Sequence, residues 1–214
     1  MPADLLAHAL TAKGFMPEQE GAFLHRLANE QLPHGPVMEI GTYCGKSAIY
    51  LGAAAREVGG TVLTIDHHRG SEENQAGWEH HDSSLVDQEL GLMDTLPVFR
   101  RTVALAGLED QVTAVVGRST SVATWWRTPV SLLFIDGGHA EVHAQNDYSG
   151  FAHWLMAGGT LVIHDVFERP EDGGQAPFHV WQRAVDSGCF EPLETVGSMR
   201  ALTRTRGDAG EPVG

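Results

Sequence analysis

Four short apolar runs in this chain stop at comparable places. Residues 37–40 run into Gly41, 61–65 end at Asp66, 130–135 end at Asp136, and 159–163 end at His164-Asp165. A fifth run, 112–116, lies between the second and third. Segments that read as helices separate them, at 47–58, 85–106 (with Pro97 as a candidate break), 121–126, 141–154 and 178–187. Strands that alternate with helices cannot pair as hairpins, so they must pair in parallel with helices packed on both faces.

Two further strands, 191–195 and 199–203, flank Gly197-Ser198. That spacing predicts a closing hairpin whose last strand runs antiparallel. The expected fold is therefore α/β, a Rossmann-like doubly wound, mostly parallel seven-stranded sheet with a C-terminal antiparallel hairpin. In such sheets ligands sit beyond the carboxyl ends of the strands. Asp66, Asp136 and Asp165 should then face one crevice.

The chain's 214 residues, 42% of them hydrophobic, suit a single domain over 1–206. It opens with a helical segment, 1–34, interrupted near Gly14-Phe15-Met16-Pro17, and residues 207–214 read as a flexible tail. Fourteen Lys and Arg face twenty-eight Asp and Glu, a formal net charge of -14. That balance argues against a nucleic-acid partner, which needs a basic face to displace counterions. It favours a small cationic or neutral ligand. No apolar run is long enough to cross a bilayer, so no membrane role is expected. Cys44 and Cys189 set up no disulfide framework, and no basic stretch leads into an apolar one near the N-terminus. A cytoplasmic setting is the expectation, with a homodimer allowed.

The turn Gly41-Thr42-Tyr43-Cys44-Gly45-Lys46-Ser47 admits three ligand chemistries. A phosphate-binding loop ending in Gly45-Lys46-Ser47 needs a glycine at position 40, where Ile40 stands. A dinucleotide turn counted from Gly41 needs a glycine at position 43, where Tyr43 would keep the backbone from a pyrophosphate. S-adenosylmethionine carries no phosphate. Its sulfonium and amine suit Glu39, its carboxylate suits the N–H groups of a helix start, and its ribose hydroxyls suit Asp66.

The run from Met38 to Ser47 resembles the first motif of class I methyltransferases. It is most similar to the catechol O-methyltransferase type, in which a tyrosine replaces the middle glycine. Thr64-Ile65-Asp66 resembles the second motif. Phe134-Ile135-Asp136-Gly137-Gly138-His139 and Val162-Ile163-His164-Asp165 resemble the later motifs of small metal-dependent O-methyltransferases, bacterial sugar enzymes among them. The resemblance spans about residues 35–204. It implies cofactor contacts from Glu39, Gly41, Tyr43, Gly45, Ser47, Asp66, His67, Arg118, Ser119 and Asp136. It also implies a divalent ion, Mg²⁺ or another, at Asp136 and the pair His164-Asp165. His164 departs from the carboxylate usual there, and imidazole suits Mn²⁺ better than Mg²⁺. His139 stands where the catechol type carries its lysine base; as a base it competes with His164.

Helix capping is the plainer use for Asp136 and Asp165, and adenine packing is the plainer use for His139. Cys44 has no evident activating partner. The polar loop 66–82, with its two His-His pairs, reads as an acceptor lid rather than a zinc site, since its spacing is irregular and it holds no cysteine. Residues 167–177, with Gly173-Gly174 as hinge, form a second candidate lid. Trp78, Trp154 and Trp181 offer stacking faces, of which one at most should reach a substrate.

The function expected is transfer of a methyl group from S-adenosylmethionine to a hydroxyl of a small polar acceptor. A saccharide is the first choice and a catechol or phenol the second. A non-catalytic S-adenosylmethionine-binding protein and a nucleotide-dependent oxidoreductase are the rivals.

Overall fold

A computed structural model describes residues 1–71, 74, 75, 77 and 81–214. Two helices open the chain, α1 (Ala3–Thr11) and α2 (Glu18–Gln31). There follow β1 (Val37–Ile40), α3 (Lys46–Val58), β2 (Val62–Asp66), β3 (Val86–Asp87), β4 (Leu92–Met93), α4 (Leu96–Leu105), β5 (Val112–Val116), α5 (Ser119–Ala123), β6 (Val130–Ile135), α6 (Glu141–Phe151), β7 (Leu155–Ile163), α7 (Ala176–Asp186), β8 (Phe190–Val196) and β9 (Met199–Arg204). The main sheet has seven strands in the order β5-β2-β1-β6-β7-β9-β8. The first five pair in parallel, and β9 runs antiparallel to both β7 and β8. The expected doubly wound sheet with its terminal hairpin is thus borne out.

The central strands are apolar on both faces because helices cover both. β1 and β6 are buried at every position. One core lies between the sheet and α1, α2, α3 and α4, built on Leu24, Leu27, Ile49, Leu51, Leu132 and Phe134. The other lies against α6 and α7, built on Met38, Ile135, Tyr148, Phe151 and Val180. Burial of side chains this size, each contributing about 1.5–3 kcal/mol, is the main drive to assemble the layers.

The helix expected over 85–106 begins only at Leu96. Ahead of it, Val86–Asp87 and Leu92–Met93 pair as a two-residue antiparallel ladder. The Asp87 carboxylate accepts from the N–H groups of Glu89 and Leu90, and Gly91 takes φ +65. These turn bonds outcompete a helix. Pro97 opens α4 at its first turn instead of breaking it, since its missing N–H would be unbonded there anyway.

The last residues pack onto the body of the molecule. Arg204 has no exposed surface, and its guanidinium donates to the carbonyls of His153, Leu155, Arg206, Asp208 and Glu211. Val213 is buried, and the Tyr148 hydroxyl donates to its carbonyl (2.9 Å). Arg204→Met would leave these acceptors unpaired, at a cost of about 3 kcal/mol. Urea unfolding should show that loss as a lower midpoint with an unchanged slope.

Candidate active site

Strand order reverses between β1 and β6, and the cleft opens there, where Asp136 follows β6. Gly41 takes φ +84, and a Cβ on it would lie 2.2 Å from the Asp136 carbonyl oxygen. No other residue fits that approach. The turn is pinned from the far side by Asp66. One of its carboxylate oxygens accepts from the N–H groups of Thr42 (3.0 Å) and Tyr43 (2.9 Å), and the other accepts from His68 N–H (2.7 Å). Among the described residues, the three non-glycines with positive φ are Tyr43, His68 and Asp165, all beside the carboxyl ends of strands. Backbone strain is thus concentrated at the cleft.

The cleft measures about 1280 Å³. That exceeds the roughly 300–1,000 Å³ of a single small-molecule pocket and leaves room for two ligands. Of the residues expected at a cofactor, Gly41, Tyr43, Ser47, Asp66, His67, Arg118, Ser119 and Asp136 line it, as do His139, His164 and Asp165. Gly45 and Glu39 do not. Gly45 stands at the start of α3 with φ +88. Glu39 is fully buried behind the turn. Among the described residues neither of its carboxylate oxygens meets a hydrogen-bond partner, and the hydroxyls of Thr42 and Thr64 are likewise buried without one. Burial pushes the Glu39 carboxyl up to about 8, against a weaker opposing influence of the Ser47 and Thr42 hydroxyls.

On the Arg118 side the wall continues through Thr120, Asn146 and Asp147. Ser119 donates to Asp147 (2.5 Å), yet burial still raises that carboxyl to about 6. Asp147 went unnoticed in the sequence because it looks like any polar residue of a helix.

Across the cleft, His164 lies almost wholly buried among carboxylates. Nδ1 donates to Asp136 (2.9 Å), with Asp165 at 3.4 Å, and Nε2 donates to Glu20 (2.8 Å). Burial works against its charge. Asp136, Glu20 and Asp165 outweigh burial and raise the imidazole to about 11. Both ring nitrogens of His164 are thus engaged by carboxylates. Asp136, His139 and Asp165 each present one ligand atom within 4.8 Å of the others. His139 Nε2 lies 3.1 Å from Asp165. Burial raises the Asp165 carboxyl, but His139, His164 and Ser198 together hold it below its ordinary value.

Glu20 also escaped the sequence reading. A signal was present, since Glu20 falls on the apolar face of α2, three and seven positions before Phe23 and Leu27.

Both candidate lids border the cleft. The first contributes His67, Arg69, Gly70, Ser71, Asn74 and Gln75, and the second Phe167, Asp172, Gly173, Gly174 and Pro177. Trp78 lies outside the described residues. Trp154 and Trp181 do not line the cleft; Trp181 stacks on Phe178 at 5.7 Å. The connection between α1 and α2 adds Lys13, Phe15 and Met16. Phe15 lies 5.7 Å from the Tyr43 ring, and Lys13 pairs with Asp82. Burial pushes the Cys44 thiol up to about 12, which rules out a ready thiolate nucleophile.

Residues 38–166 match a family model described as a methyltransferase domain. Solved structures share the fold at low identity. The methyltransferase PaMTH1 from Podospora anserina, bound to S-adenosylhomocysteine, is 16% identical over 97% of this chain and 89% of its own, with a TM-score of 0.70. The O-methyltransferase TomG from Streptomyces achromogenes, involved in tomaymycin synthesis and in complex with S-adenosylmethionine, is 17% identical over 96% and 92%, with a TM-score of 0.66. An O-methyltransferase from Bacillus cereus, in complex with S-adenosylhomocysteine, is 18% identical over 95% and 92%, with a TM-score of 0.62.

The buried carboxyl of Glu39 makes stability depend on pH. Its folded pKa of about 8 lies above the ordinary 4.5, so the folded state holds the extra proton between those limits. The stability tied to that proton is full below pH 4.5 and is lost as pH rises to about 8. Glu39→Gln removes the dependence. Urea midpoints from pH 5 to 8.5 should show the variant gaining on the parent as pH rises.

Proposed function

The chain belongs to the methyltransferase-domain family, and from that premise we propose that it moves a methyl group from S-adenosylmethionine to a hydroxyl of a small acceptor. The observation that carries the proposal is the unpaired, buried Glu39 behind a turn too short to cradle phosphates. A cationic methionine end lodged at that turn would supply the counter-charge that Glu39 lacks. Asp66 would take the ribose hydroxyls, the turn from Gly41 to Ser47 the methionine end, and His67, Arg118 and Ser119 the adenosine. The solved relatives named above that hold S-adenosylmethionine or its product support this reading.

When bound, the cofactor supplies an electrophilic methyl group on a sulfonium. The chain's own residues must then align the acceptor oxygen and remove its proton. His139 is the proposed base. It faces the cleft, and Asp165 at 3.1 Å orients its ring and favours the imidazolium formed once it has taken the proton. The walls made by Phe15, Tyr43 and Phe167 give flat faces against which a sugar or an aryl ring can stack. A saccharide hydroxyl remains the first choice, since Asp136 and Asp165 can accept from neighbouring hydroxyls; a phenol is the second.

A second reading of the cluster rests on the convergence of Asp136, His139 and Asp165. Two carboxylates and an imidazole fit a divalent ion of the Mn²⁺ type better than Mg²⁺. Such an ion would stabilise negative charge on the acceptor oxygen. A ring nitrogen that ligates an ion cannot also take a proton, so the two uses of His139 are separable by experiment.

His139→Ala should lower kcat by about 10²-fold or more while affinity for S-adenosylhomocysteine stays within a factor of two. A variant with normal turnover would remove His139 from the mechanism. A labelled-methyl screen against saccharides and phenols, before and after chelation, tests the rest. Restoration by Mn²⁺ ahead of Mg²⁺ would favour the ligand role, and unchanged activity after chelation would favour the base. No calorimetric binding of S-adenosylhomocysteine would overturn the proposal.

A further inference from the structure

The N-terminal helix α2 reaches the residues beneath the cleft through the side chain of Glu20. Glu20 is 3% exposed, and among the described residues its carboxylate accepts from His164 and Ser198. One carboxylate oxygen accepts from His164 Nε2 (2.8 Å). The other accepts from the N–H (2.6 Å) and the hydroxyl (3.1 Å) of Ser198, in the turn between β8 and β9. The Ser198 hydroxyl also lies 3.3 Å from an Asp165 oxygen. On its far side His164 bonds Asp136. A continuous ladder therefore runs from α2 through Glu20 and His164 to both carboxylates of the cleft. The neighbouring turn is shaped around it: Gly197 has φ +55, and a Cβ there would lie 2.1 Å from a Glu20 oxygen.

A carboxylate moved from water into a core is costly unless it is paired and bonded. Packing alone would be better served by an apolar side chain at this point of α2. What Glu20 adds is direction. With Nε2 held from below, the ring of His164 cannot rotate away, and Nδ1 stays aimed at Asp136.

We propose that Glu20 is a positioning residue: through His164 it fixes the orientation of Asp136 and Asp165 for the reacting groups. Glu20 lies outside the lining of the cleft. The inference rests on the methyl-transfer reading for its kinetic consequence but not for the ladder itself.

The test compares Glu20→Ala, Glu20→Gln, His164→Gln and the Glu20→Ala/His164→Gln double variant. Readouts are thermal midpoint, S-adenosylhomocysteine affinity, kcat, acceptor KM and the imidazole ¹⁵N signals of His164. Glu20→Ala should lower kcat at least tenfold with cofactor affinity within twofold. In the His164→Gln background the same change should lower kcat by less than twofold, because the link it acts through is already cut. Glu20→Gln is the discriminating variant. Its amide oxygen can still accept from His164, but its NH₂ meets the Ser198 N–H donor. It should therefore lose thermal stability yet recover kcat to within about threefold of the parent.

Loss of kcat in step with stability in both single variants would overturn the proposal, as would additive effects in the double variant. Should Glu20→Ala fail to fold, Glu20→Gln and the His164 signals decide. Should the parent show no methyl transfer with any acceptor, the catalytic reading fails. The ladder is then judged on the ¹⁵N signals alone, and unchanged His164 signals in the Glu20 variants would refute it.

Discussion

The near-contact between Gly41 and the backbone of Asp136 is the constraint from which the cleft follows. Two parallel strands, β1 and β6, end side by side, and the chain leaving one must turn across the end of the other. With no side chain at Gly41 the turn lies flat against Asp136. Asp66 then draws in the next two amides from the side of β2. Three consecutive sites of the sheet are tied together in this way, so the positions of Tyr43, Ser47 and Asp136 are set by backbone geometry rather than by loop packing. A site held by strand ends is stiffer than one held by loops, as chemistry that demands in-line alignment requires.

The electrostatics of the floor follow the overall charge. A chain with a formal net charge of -14 gathers Glu20, Asp136 and Asp165 into one region. His164, buried between them, helps to hold the carboxyls of Glu20 and Asp165 below their ordinary values. The opposite case sits nearby. Glu39 has no internal counter-charge and holds its proton to about pH 8. One acid is thus paired from within the fold and the other is not.

Much of this was legible in the residues, and the rest was hidden for definable reasons. Strand ends are marked by apolar runs that stop at an acid, so Asp66, Asp136 and Asp165 could be placed in one crevice before any coordinates. The closing hairpin was equally plain from Gly197-Ser198. The segment 85–95 was not, because Val86, Leu92 and Met93 are compatible with a helix until the turn bonds of Asp87 are counted. The exchange of His139 for His164 in the metal-capable cluster was hidden for another reason. Neighbours in sequence point to opposite sides of a strand end, and Glu20, from 144 positions away, is what turns His164 inward.

Among the described residues, the Arg204 guanidinium binds its end of the chain through main-chain carbonyls: His153, Leu155, Arg206, Asp208 and Glu211. A carbonyl is the same on every residue. The latch therefore reads the path of the backbone and is blind to the letters written on it. Letters matter in it chiefly where the path needs glycine, at Gly207 (φ +75) and Gly210 (φ +96), whereas a single insertion that shifts the carbonyls out of reach would release it. Composition, with its Gly and Pro, carries no trace of such a clasp; one buried arginine at the end of a strand does.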